Sequence, residues 1–183
     1  HQLLERREQV PHLYFVQIDG WRLVFGLPKK LPRESREAAL HFLLPRVQRL
    51  FHISAGKLLA IEDSWRPEDG APVFTVEGRY RARGWTEWTQ GFQFGSSLLQ
   101  FDATGDEEFL DLGRERTLTR MSAHLTHMGV HDHGFNNVST YGNLWRLARE
   151  QRIDAAVWEI RFYEVALEGS GAGQGRRGTA LPG

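Results

Sequence analysis

The sequence predicts an all-α chain arranged as part of an α/α toroid, with a small β-rich segment at its N-terminal end. Three observations lead there. Two stretches, 88–101 and 134–145, carry no charged residue, so helices formed from them must be buried nearly all round. Two others, 106–128 and 152–168, set one apolar stripe against a charged remainder, the pattern of a surface helix. The links Thr104-Gly105-Asp106 and Arg149 to Gln151 are short enough to make consecutive helices antiparallel neighbours. Buried and surface helices therefore alternate along the chain, as in an inner and an outer ring. A four-helix bundle is the competing arrangement, but it would leave an apolar face of each uncharged helix in water.

Taken in order, HLYFVQIDGWRLVFG (12–26) reads as two β-rich runs around Asp19-Gly20, a type I′ hairpin signal. Residues 1–31 form this N-terminal segment. PRESREAALHFLLPRVQRLFHI (32–53) is spaced for an amphipathic helix that Pro45 is expected to kink. A linker is expected to start near Trp65, and 66–84 reads as a long loop with one short strand, Val73 to Val76. The stripe of 106–128 is read as Leu110, Leu118, Met121, Leu125 and Met128. That of 152–168 is read as Ile153, Ala156, Val157, Ile160, Tyr163 and Leu167. The toroid portion is thus expected over 32–168. In 169–183 six of fifteen residues are Gly, and a disordered tail is expected.

Composition narrows the function. The 183 residues are 40% hydrophobic, enough for one domain with a real core. Lys plus Arg and Asp plus Glu both number 23, and no long like-charge run occurs, which disfavours nucleic acid, an anionic membrane or another polyanion as partner. The absence of cysteine excludes disulfides and thiolate metal sites and fits a cytoplasmic protein. No run reaches the roughly 20 apolar residues of a membrane helix, and a start at His1 suggests a piece of a longer chain. Six Trp, eleven Phe and four Tyr are a supply of flat apolar faces suited to sugar stacking, although most belong in a core.

Chemistry concentrates in HLTHMGVHDHGF (124–135). His124, His127, His131 and His133 beside Asp132 invite a metal-site reading, but the spacing matches neither HExxH nor a His-x(3–5)-His pairing, so no metal is expected. Hydrogen bonding in the crossover between rings is the plainer role for His124 and His127. Asp132 precedes a buried helix, where it can be a simple N-cap. Its other reading is functional: inner helices that run parallel bring their N-terminal ends to one mouth. Glu87 reaches that mouth by the same argument, and Trp85, Trp88 and Phe135 would line it. Two carboxylates among exposed aromatics suit acid–base chemistry on a sugar.

Thr86-Glu87-Trp88-Thr89-Gln90-Gly91-Phe92, then Gly95, Thr104-Gly105-Asp106-Glu107 and His131-Asp132-His133-Gly134-Phe135 resemble glycoside hydrolase family 88, the unsaturated glucuronyl hydrolases. The resemblance runs from about Trp85 to about Leu167. It implies an α/α six-hairpin barrel that removes a 4,5-unsaturated uronic acid from an oligosaccharide by hydrating the C4=C5 enol ether, without metal or organic cofactor. It assigns Asp132 as a catalytic-site aspartate with His131 beside it, and Trp88 as a stacking wall. Gln90 stands where the family often has an acidic residue that contacts substrate. The family's proton-donating aspartate lies on a later inner helix, which is expected beyond this chain. A non-catalytic glycan-binding or structural helical module is the alternative, and a sugar epimerase on a similar toroid is a third possibility.

Overall fold

The computed structural model describes residues 13–18, 21–26, 33–127 and 132–177. Asp19, Gly20, Met128 and His131 lie outside them. Strands β1 (Leu13–Ile18) and β2 (Trp21–Gly26) pair antiparallel with Ile18 opposite Trp21, as the Asp-Gly signal predicts. Helix α1 runs over Arg33–Ser64 with Pro45 inside it, eleven residues past the predicted end at 53. The extension has a cause: Ala55, Leu58 and Leu59 pack on the core, and the Arg116 guanidinium holds the Glu62 carboxylate.

The long loop predicted over 66–84 is instead a hairpin of β3 (Ala71–Val76) and β4 (Arg79–Arg83). Its turn residues Glu77 and Gly78 have φ of 52° and 75°, the signs a type I′ turn demands. Strand β4 escapes a hydrophobicity reading because all five residues of RYRAR are exposed.

The helical layers follow. α2 (Thr89–Thr104) ends on Gly105 at φ 74°, whose N–H bonds the Phe101 carbonyl at 2.7 Å. Asp106 at once caps α3 (Glu107–Arg120), accepting the Glu108 N–H at 3.2 Å. Two residues thus reverse the chain, as the Thr104-Gly105-Asp106 link predicts. A 3₁₀ turn, Ser122–Leu125, leads toward α4 (His133–Asn137), a π-helical turn (Val138–Gly142) and α5 (Asn143–Arg149). The Arg152 N–H then bonds the Leu147 carbonyl and Gln151, at φ 56°, bonds that of Ala148, a Schellman-type stop without glycine. α6 spans Val157–Arg177.

Three expectations change. Of the stripe expected over 106–128, Leu110 and Met121 are buried and Leu125 packs on the core, but Leu118 is exposed and Phe109, Gly113 and Thr117 are buried in its stead, because α3 rotates to seat Gly113 on the Leu98 side chain. Helix α6 begins only at Val157, which together with Trp158 stands in solvent; Ile153, Ile160, Tyr163 and Leu167 of the expected stripe do meet the core, and Ala166 and Ser170 join the buried line. Residues 169–177 are helix and not a disordered tail. Ser170 is buried there and hydrogen-bonded to His133 and Asn137 of α4.

α2 and the α4–α5 unit are parallel. Gly91 backs onto the Phe135 carbonyl and Gly95 onto Ser139, and at the far end Arg146 bonds Asp102 at 2.8 Å. A side chain at either glycine would overlap the facing backbone, so these two positions set how closely the helices approach. The core between the layers holds Trp65, Phe94, Leu98, Phe109, Met121, Tyr141, Leu144 and Tyr163. Burial, reinforced by Tyr163, pushes the Tyr141 hydroxyl up to about 12. Inner helices that alternate with outer ones and share one direction are the architecture of a toroid. Among the described residues the inner helices are not buried all round, since Phe92, Leu99, Phe135 and Val138 are exposed. No helix among the described residues is long and apolar enough to cross a membrane.

Candidate functional site

The parallel register carries the N-terminal ends of α2 and α4 to one place. Trp88, Phe92 and Phe135 meet there, each ring centroid 5.4 to 5.5 Å from the other two. Their exposures of 38, 42 and 46% leave ring faces open to a ligand, which a core cluster would not. Glu87 stands just before Trp88, the N-cap of α2, partly buried, with Arg83 at 3.9 Å. Asp132 occupies the N-cap position of α4 and gives its backbone carbonyl to the Phe135 N–H at 3.0 Å, but its carboxylate makes no capping bond. Trp85 is exposed and set back, packed edge-on against His124 at 5.3 Å and tilted against His127 at 5.1 Å.

Gln90 turns the other way. It is buried, and its Oε1 accepts from His124 Nε2 at 3.1 Å. The carboxamide therefore belongs to the packing beneath the aromatic platform, and the structure turns none of it toward the open face.

Beneath the platform lies a polar network that composition and motif reasoning passed over. The Gly91 N–H donates to Asn136 Oδ1 at 2.9 Å, Asn136 Nδ2 donates to His124 Nδ1 at 3.1 Å, and His124 Nε2–H reaches Gln90. Asn137 Nδ2 donates to the His124 carbonyl at 3.3 Å and to Ser170 Oγ at 3.1 Å, and Ser170 in turn donates to His133 Nδ1 at 3.1 Å. All six side chains are buried. Burial, with smaller contributions from His127 and His133, pushes His124 down to about 4, so the ring is neutral near pH 7 and can both accept and donate. One signal could have revealed this: Asn136-Asn137 inside an uncharged helix must find partners if the helix is buried.

The hydrogen-bonding role foreseen for His124 is what the structure contains. Both its ring nitrogens are taken by amides, and among the described residues no group of three His, Asp or Glu side chains could hold a metal. A groove of about 540 Å³ opens on another side, between α4–α5 and α6, lined by Val138, Gly142, Trp145 and Leu167. Among the described residues, none of the predicted mouth residues lines it.

Paired inner and outer helices with parallel inner members, and an open aromatic face at the inner N-terminal ends, define the class: a portion of an α/α toroid. No family model and no curated protein matches the sequence. Among solved structures the chain is similar to an unsaturated glucuronyl hydrolase specific for heparin, with a TM-score of 0.56 and 21% identity. The match covers 69% of this chain and 31% of that one, so the chain spans about a third of the hydrolase's length with the same fold.

Proposed function

We propose that the chain is a carbohydrate-active hydrolase portion that binds the non-reducing end of an oligosaccharide, with a 4,5-unsaturated uronic acid at its terminus. The observation that carries this reading is the open Trp88–Phe92–Phe135 platform at the converging N-terminal ends, with Glu87 and Asp132 as the acids that border it in sequence. The fold shared with the heparin-specific hydrolase and the motifs in 86–92 and 132–135 support it.

In the proposed chemistry Trp88 and Phe135 stack the sugar, and Asp132 acts together with a proton-donating carboxylate expected on a later inner helix beyond this chain. A proton is delivered to C4 of the enol ether, water adds at C5, and the water's proton returns to the carboxylate. One water is consumed, and the resulting hemiketal opens to release the remaining sugar. General acid–base catalysis of this kind contributes on the order of 10²–10⁴ in rate. His131, outside the described residues, is proposed beside Asp132. Trp85 is proposed as an outer wall of the mouth, and Gln90 is proposed to act on substrate only through the residues it positions. No metal or organic cofactor enters this chemistry.

A lyase-generated unsaturated uronyl disaccharide tests the reading. Saturable tryptophan fluorescence change that is lost in Trp88→Ala is expected. Absence of binding, or binding indifferent to Trp88, would remove the platform from the function. The second reading is a glycan-binding module without chemistry, favoured by the burial of Gln90 away from the open face. Binding without loss of the double bond's ultraviolet absorbance, in a protein that carries this chain within a complete toroid, would select it.

A further inference from the structure

Net charge and runs of like charge argue against a polyanion partner, yet neither measure sees what a strand does with alternation. In β4 the sequence Arg79-Tyr80-Arg81-Ala82-Arg83 places the three arginines on one face, with Tyr80 and Ala82 on the other. Register confirms the face: Val76 lies opposite Arg79 and Phe74 opposite Arg81, and the Arg83 guanidinium sits 5.8 Å from the Phe74 ring centroid. All three arginines are exposed. Alternate strand residues are about 7 Å apart, so the row spans about 14 Å.

The charges of this row are barely compensated. Arg79 and Arg81 enter no ion pair among the described residues, and Glu77 at the turn is the hairpin's sole acid. Arg83 alone has a carboxylate near it, Glu87 at 3.9 Å, and that contact ties the end of the row to the residue preceding Trp88. Guanidinium groups match carboxylates with two parallel N–H bonds each. A row of them in which Arg79 and Arg81 enter no ion pair among the described residues, leading through Arg83 to a sugar-stacking platform, is a track for a chain of acidic sugars.

The geometry points to the β3–β4 hairpin as an anion-binding arm. It grips the uronate carboxylates of an acidic oligosaccharide whose terminal ring lies at Trp88. This rests on the sugar-binding reading above and adds to it the charge of the substrate and the place that recognises it. Carboxylated sugars fit better than nucleic acid, because a nucleic-acid binder draws on a positive field over a whole face and the net charge here is zero.

The test uses the full chain with a lyase-released hyaluronan hexasaccharide, its carboxyl-reduced neutral form and the corresponding unsaturated disaccharide. The hexasaccharide is expected to bind more tightly than the disaccharide. Arg79→Gln/Arg81→Gln should remove that advantage, about tenfold for two exposed charge contacts, and flatten its dependence on salt. The disaccharide should be unaffected. Both positions are exposed, and an unchanged thermal melt keeps the comparison valid; Arg79→Glu/Arg81→Glu should weaken the hexasaccharide further. Equal binding of the hexasaccharide by wild type and double variant, or equal binding of the neutral form, overturns the arm. Tighter binding of a single-stranded oligonucleotide of matched charge overturns its assignment to sugars. A failure of the sugar-binding reading shows separately, as disaccharide binding that is absent or indifferent to Trp88→Ala.

Discussion

The backbone N–H of Gly91 and the side-chain Oδ1 of Asn136, 2.9 Å apart, fix the direction of the hydrogen bonds that run from them through His124 to Gln90. A backbone N–H can only donate, so the Asn136 amide must face it with oxygen. Its Nδ2 then points at His124 Nδ1, which must accept, and the His124 proton sits on Nε2, facing Gln90 Oε1. One main-chain donor on α2 thereby orients an amide on α4, an imidazole in the 3₁₀ turn and a second amide on α2. The same contact clamps the two inner helices at the level of Trp88 and Phe135.

Gly91→Ala should therefore damage both packing and mouth. The new methyl would overlap the Phe135 carbonyl and the Asn136 Cα, which are main chain and cannot swing aside. Overpacking of this kind costs about 1–3 kcal/mol, and more where backbone must move. Urea unfolding should show that loss, and Trp88 fluorescence should shift as the rings separate. Gly105→Ala meets no facing atom, and its smaller cost should come from the φ of 74° alone.

Stability should fall with acid because His124 is buried neutral. Its folded value, about 4, lies below the ordinary 6.5. Between these values the unfolded chain binds a proton that the folded chain does not, so stability is full above about pH 6.5 and declines as pH falls toward 4. The shift corresponds to at most about 3 kcal/mol. Protonated Nδ1 could no longer accept from Asn136, and flipping that amide would turn its NH₂ toward the Gly91 N–H. Urea midpoints from pH 7 to pH 4.5 should drop in wild type. His124→Gln should be weaker at pH 7 but flatter across that window; an equally steep slope in the variant would assign the effect elsewhere.

Removal of residues 169–183 should be destabilising, contrary to what a glycine-rich tail suggests. The truncation deletes Ser170, which accepts from Asn137 and donates to His133, and leaves Asn137 Nδ2 and His133 Nδ1 with each other at 3.2 Å and Asn137 with the His124 carbonyl, two hydrogen bonds fewer than before. Each hydrogen bond lost contributes about 0.5–1.5 kcal/mol. Ser170→Ala should reproduce much of the loss, and a truncated chain as stable as the full one would show that the last turns of α6 contribute nothing.

The layers were legible because charge alternation is a property of whole helices: α2 and the α4–α5 unit show it, and Gly105-Asp106 announces its own reversal. Compositional signals failed where context overrode them. The glycines of 169–177 suggest disorder, but Ser170 anchors them against Asn137. The arginines of β4 conceal a strand, because its alternate residues Tyr80 and Ala82 face no core and both faces of RYRAR are exposed. At the mouth, parallel inner helices allowed the meeting of Trp88 with Phe135 to be foreseen. The inward turn of Gln90 was not, since its direction depends on His124, a residue 34 positions away.

The acids of the mouth can be told apart by their kinetic signatures. In the proposed hydration, Asp132→Asn keeps a side chain of the same shape but cannot exchange a proton at neutral pH. The expected result is a fall in kcat on the order of 10²–10⁴ with KM little changed, measured as the loss of the double bond's ultraviolet absorbance in a protein that carries this chain within a complete toroid. Trp88→Ala should show the opposite split, raising KM through lost stacking with a smaller effect on kcat. Glu87→Gln distinguishes two schemes. If Glu87 only pairs with Arg83, the variant should bind and turn over nearly as wild type, because an ion pair at 3.9 Å with the arginine well exposed contributes little. If Glu87 is the second carboxylate, its loss should match that of Asp132, and the 183-residue chain alone should then show measurable turnover. An active Asp132→Asn protein would remove Asp132 from the mechanism and leave the open aromatic platform as a binding surface.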